Sequence, residues 1–212
     1  MKIYIRSTAA ISPQKTFGQG PFLAEPESYP THRLQTIEPD YTKLIDAKLL
    51  RRMSRIIKMG VTTAAACLQE AGENNPGAII TGTAYGCLED TAVFLTDIIQ
   101  RNEEMLTPTA FIQSTHNTVG AQIALMLKCH NYNNTFVHDG VSFESALLDA
   151  ILLMKEKEAE NVLVGSIDEL TDNSYAVLNR LGLYKRNMVS SLDLYSSYSK
   201  GTLAGEGAAF FY

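Results

Sequence analysis

Apolar residues at the start of the chain alternate with polar ones: Ile3 and Ile5 share one face of a period-2 pattern that ends at Pro13, which predicts a strand over residues 2–12. After that the pattern dissolves. Pro13, Pro21, Pro26, Pro30 and Pro39 fall close together with Gly18 and Gly20, and proline lacks the backbone donor that helices and central strands need, so 13–40 reads as a long surface excursion. Periodicity returns after Asp46, a residue placed to cap a helix. Ile56, Ile57, Val61, Ala64, Ala65 and Leu68 then recur at helical spacing until Gly72. The run GAIITGT over 77–83 has the make-up of a strand buried on both faces. Further on, the spacing predicts helices over 88–101 and 115–128, an Asn-rich turn at Asn131, Asn133 and Asn134, and a strand over 135–138. A helix over 142–157, a strand over 161–165, a mixed segment to 200 and a last strand in GEGAAFFY complete the chain.

Strands alternating with helices in this order predict a single α/β domain over 1–212, with a mostly parallel five-stranded sheet covered by helices. One helix stands apart. Between Phe143 and Met154 only Glu144, Ser145 and Asp149 interrupt the apolar residues, a pattern that predicts packing on most sides, under this chain or another.

Composition narrows the function classes. The 212 residues are 45% hydrophobic and 19% charged, as in ordinary globular chains. The net charge of -5, from 18 Lys plus Arg against 23 Asp plus Glu, argues against nucleic acid as a partner. No apolar run approaches the roughly 20 residues of a bilayer span, and MKIYIRSTAA lacks the apolar core of a signal peptide, so no membrane span and a cytoplasmic location are expected. Cys67, Cys87 and Cys129 are widely spaced, without a C-x-x-C pair, and point to free thiols. His116 beside Asn117 and His130 beside Cys129 lack further ligands at regular spacing, and neither a metal nor a cofactor is expected.

Five segments in order resemble the N-terminal half of the β-ketoacyl synthases, the thiolase-fold condensing enzymes of fatty acid and polyketide synthesis. LLRRMSRIIKMGVTTAAACLQEAG is similar to the family's Arg-Arg-Met helix ending in Ala-Gly. GAIITGTAYGCLED resembles its strand and glycine turn, Gly-Ser/Thr-Gly-x-Gly-Gly, with Ala84 and Cys87 replacing glycines. FIQSTHNTVGAQIAL resembles the segment Phe-Ile/Val-Pro-x-x-x-x-Asn-x-x-Ala-Gly-Gln-Ile-Ala, with Gln113 for proline and Gly120-Ala121 reversed. NVLVGSIDEL is similar to the Ala-Gly-Gly-Ser/Thr-Glu strand, and AGEGAAFF to the Gly-Glu-Gly-Ala strand.

The resemblance implies a thiolase-like half with a buried helix after the nucleophile, which agrees with the apolar helix over 142–157. It also implies a cysteine in a Thr-Ala-Cys turn at that helix's start, where the helix N-terminus lowers the thiol pKa and backbone amides hold the oxyanion. In FVHDGVSFESA that position falls on Val141, or on Gly140 with a slip of one, and neither side chain can be acylated. The family takes two histidines and a lysine from its C-terminal half, and this sequence ends before such a half. Chain-length factors within the family lack the cysteine, pair with an active ketosynthase and shape its acyl pocket. The chain resembles their short versions, which accompany aryl polyene ketosynthases.

This resemblance implies a non-catalytic partner of a full-length ketosynthase and an acyl carrier protein, self-associating when expressed alone. Tyr85 and Phe111 are the implied acyl-pocket residues. Thr135, Phe136, Val137 and His138 would form an interface strand pairing antiparallel with its counterpart, and Phe143, Leu147 and Ile151 a helical interface, joined on the same open face by Ala150 and Met154. Arg51 and Arg52 either meet the acidic carrier protein or belong to a solvated helix face. The rival reading is a stand-alone acyl-thioester transferase or hydrolase using Ser142 or Cys87. His138, Asp139 and Ser142 hold the residue types of a triad, although consecutive strand and turn residues seldom reach triad geometry. On the structural reading, Asp139 or Ser142 caps the helix and Cys87 is a small buried stand-in for glycine.

Overall fold

The computed structural model describes residues 2–18, 20, 22–187 and 190–212; Pro21 of the proline-rich excursion and Met188 and Val189 of the mixed segment lie outside the described residues. At the centre is β3 (Ala78–Thr83), all six residues buried, as its unbroken apolar and β-branched sequence requires. β4 (Tyr132–Val137) and β5 (Leu163–Asp168) lie parallel on either side of it. β7 (Gly207–Phe211) runs antiparallel beside β5, and β1 (Thr8–Ile11) antiparallel beside β7. The order is therefore β1-β7-β5-β3-β4, with β7 the one reversed strand of five. A short parallel pair, β2 (Arg33–Leu34) with β6 (Ala204–Gly205), ties the excursion to the C-terminal region.

Neighbouring residues of β3 feed opposite layers, because successive side chains of a strand point to opposite faces. Ile79 joins Ile11, Ile56, Ile57, Met59, Leu163, Ile167 and Phe210 beneath α2 (Arg55–Ala71) and α5 (Thr118–Leu127). Ile80 joins Ala78, Ala146, Ala150, Val162 and Val164 beneath α6 (Ser142–Glu156). The short α1 (Ala47–Leu50) is capped by Asp46, whose carboxylate accepts the Lys48 amide, and Gly72 ends α2 in the left-handed region. α3 (Leu88–Gln100) and α4 (Pro108–Gln113) pack against each other through Phe94 and Phe111, and α7 (Asp172–Arg180) follows β5. None of the described helices is long and apolar enough to cross a membrane.

Several expectations need correction. The N-terminal strand is confined to Thr8–Ile11, because its partner β7 reaches only Phe211 opposite Thr8, and no strand runs beside 2–5 among the described residues. Ile5 is accordingly exposed. Asn133 and Asn134 belong to β4 and not to a turn, while His138 falls just outside that strand. The strand expected over 161–165 occupies Leu163–Asp168. The helix expected over 115–128 is α5, with α4 separately before it, and the mixed segment contains α7. Asp46 caps α1, while α2 starts after Ser54. The helix expected to be covered on most sides, α6, buries only Ser142, Ala146 and Ala150, with Ala150 at the floor of the groove that Phe143, Leu147, Ile151 and Met154 also line.

Candidate functional site

β4 ends at Val137, a 3-10 turn occupies Asp139–Val141, and α6 begins at Ser142. The crossing of β3 below that helix start depends on Gly82: a Cβ there would come within 2.8 Å of the Ser142 backbone. Val141 stands at the N-cap position of α6 with 57% of its surface exposed, an alkyl group in an exposed turn. Asp139 takes a positive φ of 49°. Ser142 is buried, its hydroxyl accepting the His138 amide and donating to the Asp139 carbonyl, both at 2.8 Å. The bond between His138 and Ser142 thus uses backbone and not the imidazole. Neither Asp139 nor Ser142 makes a side-chain cap to α6, which corrects that expectation.

The three thiols are buried. Cys87 sits at the N-cap of α3, and burial, reinforced by the charges of Asp90 and Glu169, pushes its thiol up to about 12, far from the reactive range. Burial also raises the Cys67 thiol, whose sulfur lies 3.4 Å from the Ser7 hydroxyl. No group of three or more His, Cys, Asp or Glu side chains arranged to hold a metal occurs among the described residues.

Tyr85 and Phe111 sit on different elements. Tyr85 projects from the turn between β3 and α3, 41% exposed, and Phe111 from α4, 57% exposed, its ring centroid 5.7 Å from that of Phe94. The turn bearing Tyr85 is anchored on the end of β5: Asp168 accepts the Ala84 amide and the Thr83 hydroxyl, and Glu169 accepts the Glu89 amide. Behind it lies a charged cluster. Arg55 donates to both oxygens of Glu206, at 2.5 and 2.7 Å, and also to Glu38, while the Thr36 and Leu170 amides donate to Glu206. Burial alone would raise the Glu206 carboxyl, but the Arg55 hydrogen bonds and the two amides bring it below its ordinary value. The sequence signal is the Gly-Glu-Gly itself: a lone carboxylate between two apolar strand segments needs a cation.

Of the expected interface residues, Thr135, Phe136 and Val137 lie on β4, the edge strand, and His138 follows it with its ring 6.1 Å from that of Phe136. Phe143, Leu147 and Ile151 lie together on α6, where they line an apolar groove of about 580 Å3 with Met154, Ile3 and Phe211. Arg51 and Arg52 are exposed.

The family model described as "Beta-ketoacyl synthase, N-terminal domain" matches residues 25–192, well over half of the chain. The chain belongs to this family. No curated protein matches it significantly. Among solved structures, a ketosynthase in complex with its chain length factor from Xenorhabdus doucetiae is similar at TM-score 0.66 and 16% identity, over 100% of this chain and 78% of that one. The ishigamide ketosynthase/chain length factor is similar at 0.80 and 20%, over 98% and 56%. A β-ketoacyl synthase from Burkholderia phymatum is similar at 0.72 and 14%, over 98% and 58%. At these identities the likeness establishes the ketosynthase fold, thiolase-like, and the chain spans between 56% and 78% of the length of these neighbours.

Proposed function

We propose that this chain is a non-catalytic, ketosynthase-like partner subunit of the chain-length-factor type. It works in the cytoplasm beside a full-length ketosynthase and an acyl carrier protein, in polyketide or fatty-acid-like biosynthesis of the aryl polyene kind. The observation that carries this reading is Val141 at the start of α6, where the family's pattern has its cysteine. Acyl transfer needs a nucleophile there, in reach of the helix amides, and valine supplies none. The neighbours support the partnership: two are ketosynthases with their chain length factors, and a third is a type II PKS acyl-carrier protein in complex with its ketosynthase. On this reading the β4 edge from Thr135 to Val137, with His138, pairs with the partner ketosynthase, since an unpaired edge of this composition is otherwise a template for aggregation. Tyr85 and Phe111 limit the depth of the shared acyl pocket.

The rival reading through Ser142 or Cys87 has no observation in its favour, because both groups are buried, one bonded to backbone on both sides and the other a neutral thiol. Incubation with acylated carrier protein followed by intact-mass spectrometry separates the two. The wild-type chain should carry no acyl adduct, whereas Val141→Cys, with a thiol at a helix N-terminus, should gain self-acylation and nothing more. A stable adduct on the wild-type chain would sink the non-catalytic reading. An unreactive Val141→Cys would remove the reason for placing the nucleophile position there.

A further inference from the structure

The segment after α7 leaves the body of the protein and returns to the point where it left. Tyr184 bridges Thr202: the Lys185 amide donates to the Thr202 carbonyl and the Thr202 amide to the Leu183 carbonyl, both at 2.9 Å. Gly201 permits this closure, with φ at 105° and a Cβ position only 2.7 Å from the Leu183 oxygen. Tyr184 is buried and stacks on Tyr175 of α7 at 5.3 Å, so the neck of the loop is fixed to the body. Beyond the neck there is no core. None of the described residues over 186–203 is buried, and Tyr195 and Tyr198 stand 98% and 104% exposed. Apolar burial cannot offset the entropy of ordering such a loop.

Lys185 supplies the missing interior. It is 6% exposed, and its Nζ donates to the main-chain carbonyls of Ser197, at 3.1 Å, and Ser199. None of the ion pairs among the described residues includes it. A buried cation normally faces a carboxylate; here two carbonyl dipoles take that place, through bonds that a charged donor makes stronger than neutral ones. The Ser197 and Ser199 hydroxyls lie 3.0 Å apart and both donate to the Asn187 carbonyl, so the two residues are also held side by side. We propose that these carbonyls form a cation site that the protein fills with its own lysine, and that the ammonium in it, not the aliphatic stem, holds the loop closed. Such a site takes a primary ammonium, which brings N–H donors and positive charge together. The consequence reaches beyond the loop, because its far leg is tied to the proline-rich excursion. The Ser191 amide donates to the Tyr29 carbonyl at 2.8 Å, the Tyr29 amide to the Ser191 hydroxyl at 3.0 Å, and the Ser28 and Ser190 hydroxyls share a bond at 2.7 Å. Tyr29 in turn walls a polar cleft of about 460 Å3 with Arg33 and Asp172, so Lys185 orders a cleft wall through the loop it holds. Nothing in this arrangement depends on the reading of the chain as a partner subunit.

Hydrogen exchange on the full chain at a single pH tests the site, with rates normalised to the intrinsic rate of each amide. Lys185→Met keeps the stem and removes the ammonium. Protection of the Ser191, Ser197 and Thr202 amides should then fall by about tenfold or more, as the loss of bonds to a charged donor implies, while the amides of α2 hold theirs. Lys185→Ala should lose the same protection and regain most of it when n-propylammonium, the group removed, is added. Tetramethylammonium, which has the charge but no N–H, should restore none. Gly201→Ala, whose lysine already fills the site, should gain nothing from n-propylammonium. The cation site would be overturned by a Lys185→Met chain that exchanges like the wild type or loses protection equally over α2. Recovery of Lys185→Ala by both ions alike or by neither, or a gain in Gly201→Ala, would overturn it as well.

Discussion

α2 and α6 are helices of similar length, 17 and 15 residues, packed on opposite faces of one sheet, and they use their apolar residues in opposite ways. α2 buries its large ones, among them Ile56, Ile57, Met59 and Leu68, with α5 closing the layer beside it. α6 turns small residues to the sheet, Ser142, Ala146 and Ala150, and leaves Leu147, Leu148 and Leu152 between 39% and 58% exposed. Small residues let α6 approach closely, as the contact between Gly82 and the Ser142 backbone requires, and that approach directs the bulk of the helix outward. A continuous apolar pattern along a helix therefore has two meanings. On α2 it records a face covered within the chain, and on α6 a face left partly exposed along an apolar groove.

The contrast is broken on the α2 side at the ion pair of its first residue. Arg55 is bonded to Glu206, whose side chain is fully buried. Removing one partner of such a pair leaves the other uncompensated, so Glu206→Ala should destabilise the fold by about 3 kcal/mol, the lower end of the usual range because Arg55 is itself 39% exposed. The folded Glu206 carboxyl lies below its ordinary value of 4.5, so its contribution is present above 4.5 and is lost as pH falls through the folded value. Urea denaturation of both proteins should accordingly show a large gap near neutrality that narrows in acid. A gap that widened in acid would mean that Arg55 does not hold Glu206 ionised.

Truncations of matched chemistry sharpen the comparison next. Ile57, on the buried face of α2, is 1% exposed, and Ile57→Ala should cost about 2–5 kcal/mol, the range for a large side chain removed from a packed core. Leu152, 43% exposed on α6, should lose less than about 1 kcal/mol on the same change. Equal losses in the two denaturation curves would show that α6 is as fully covered as α2.

The sequence made the alternation of elements legible wherever one periodicity ran unopposed, as in α2, β3 and α6. It misled where polar side chains are paired inside a strand. Asn133 and Asn134 look like a turn, yet in β4 Asn133 donates to the Gly120 carbonyl and Asn134 to the Tyr132 hydroxyl, while Thr135 bonds Thr81 across the sheet. Ile3 and Ile5 have the alternation of a strand, but pairing needs a neighbour, and the register with β7 reaches only Thr8. α7 carries its own signal inside the segment that reads as mixed: Thr171 and Ser174 form a capping box, Asp172 lies in the first turn and Arg180 in the last. Of the candidate site, the alkyl side chain at the turn before α6 is legible from residue type alone. The clamp of Asp168 and Glu169 on the Tyr85 turn could not, because it joins residues about eighty positions apart.

The smallest effect on stability, and the one that bears most on function, is expected on the open face of α6. Leu147 is 39% exposed and lines the apolar groove with Phe143, Ile151 and Met154. A glutamate there loses little packing and meets solvent, so Leu147→Glu should shift the melting temperature of a monomeric chain hardly at all, as surface changes do. Association is another matter. Burying each such side chain in a partner is worth roughly 1.5–3 kcal/mol, and a carboxylate at the centre of the contact opposes it by its desolvation. On our reading the isolated chain satisfies this face by pairing with a second copy, and light scattering should give a dimer for the wild type and a monomer for Leu147→Glu. A wild-type chain that stays monomeric at high concentration would show that this face alone does not drive self-association, leaving the β4 edge as the surface to test. A Leu147→Glu chain that dimerises as well as the wild type would place the contact elsewhere and separate the apolar pattern of α6 from assembly altogether.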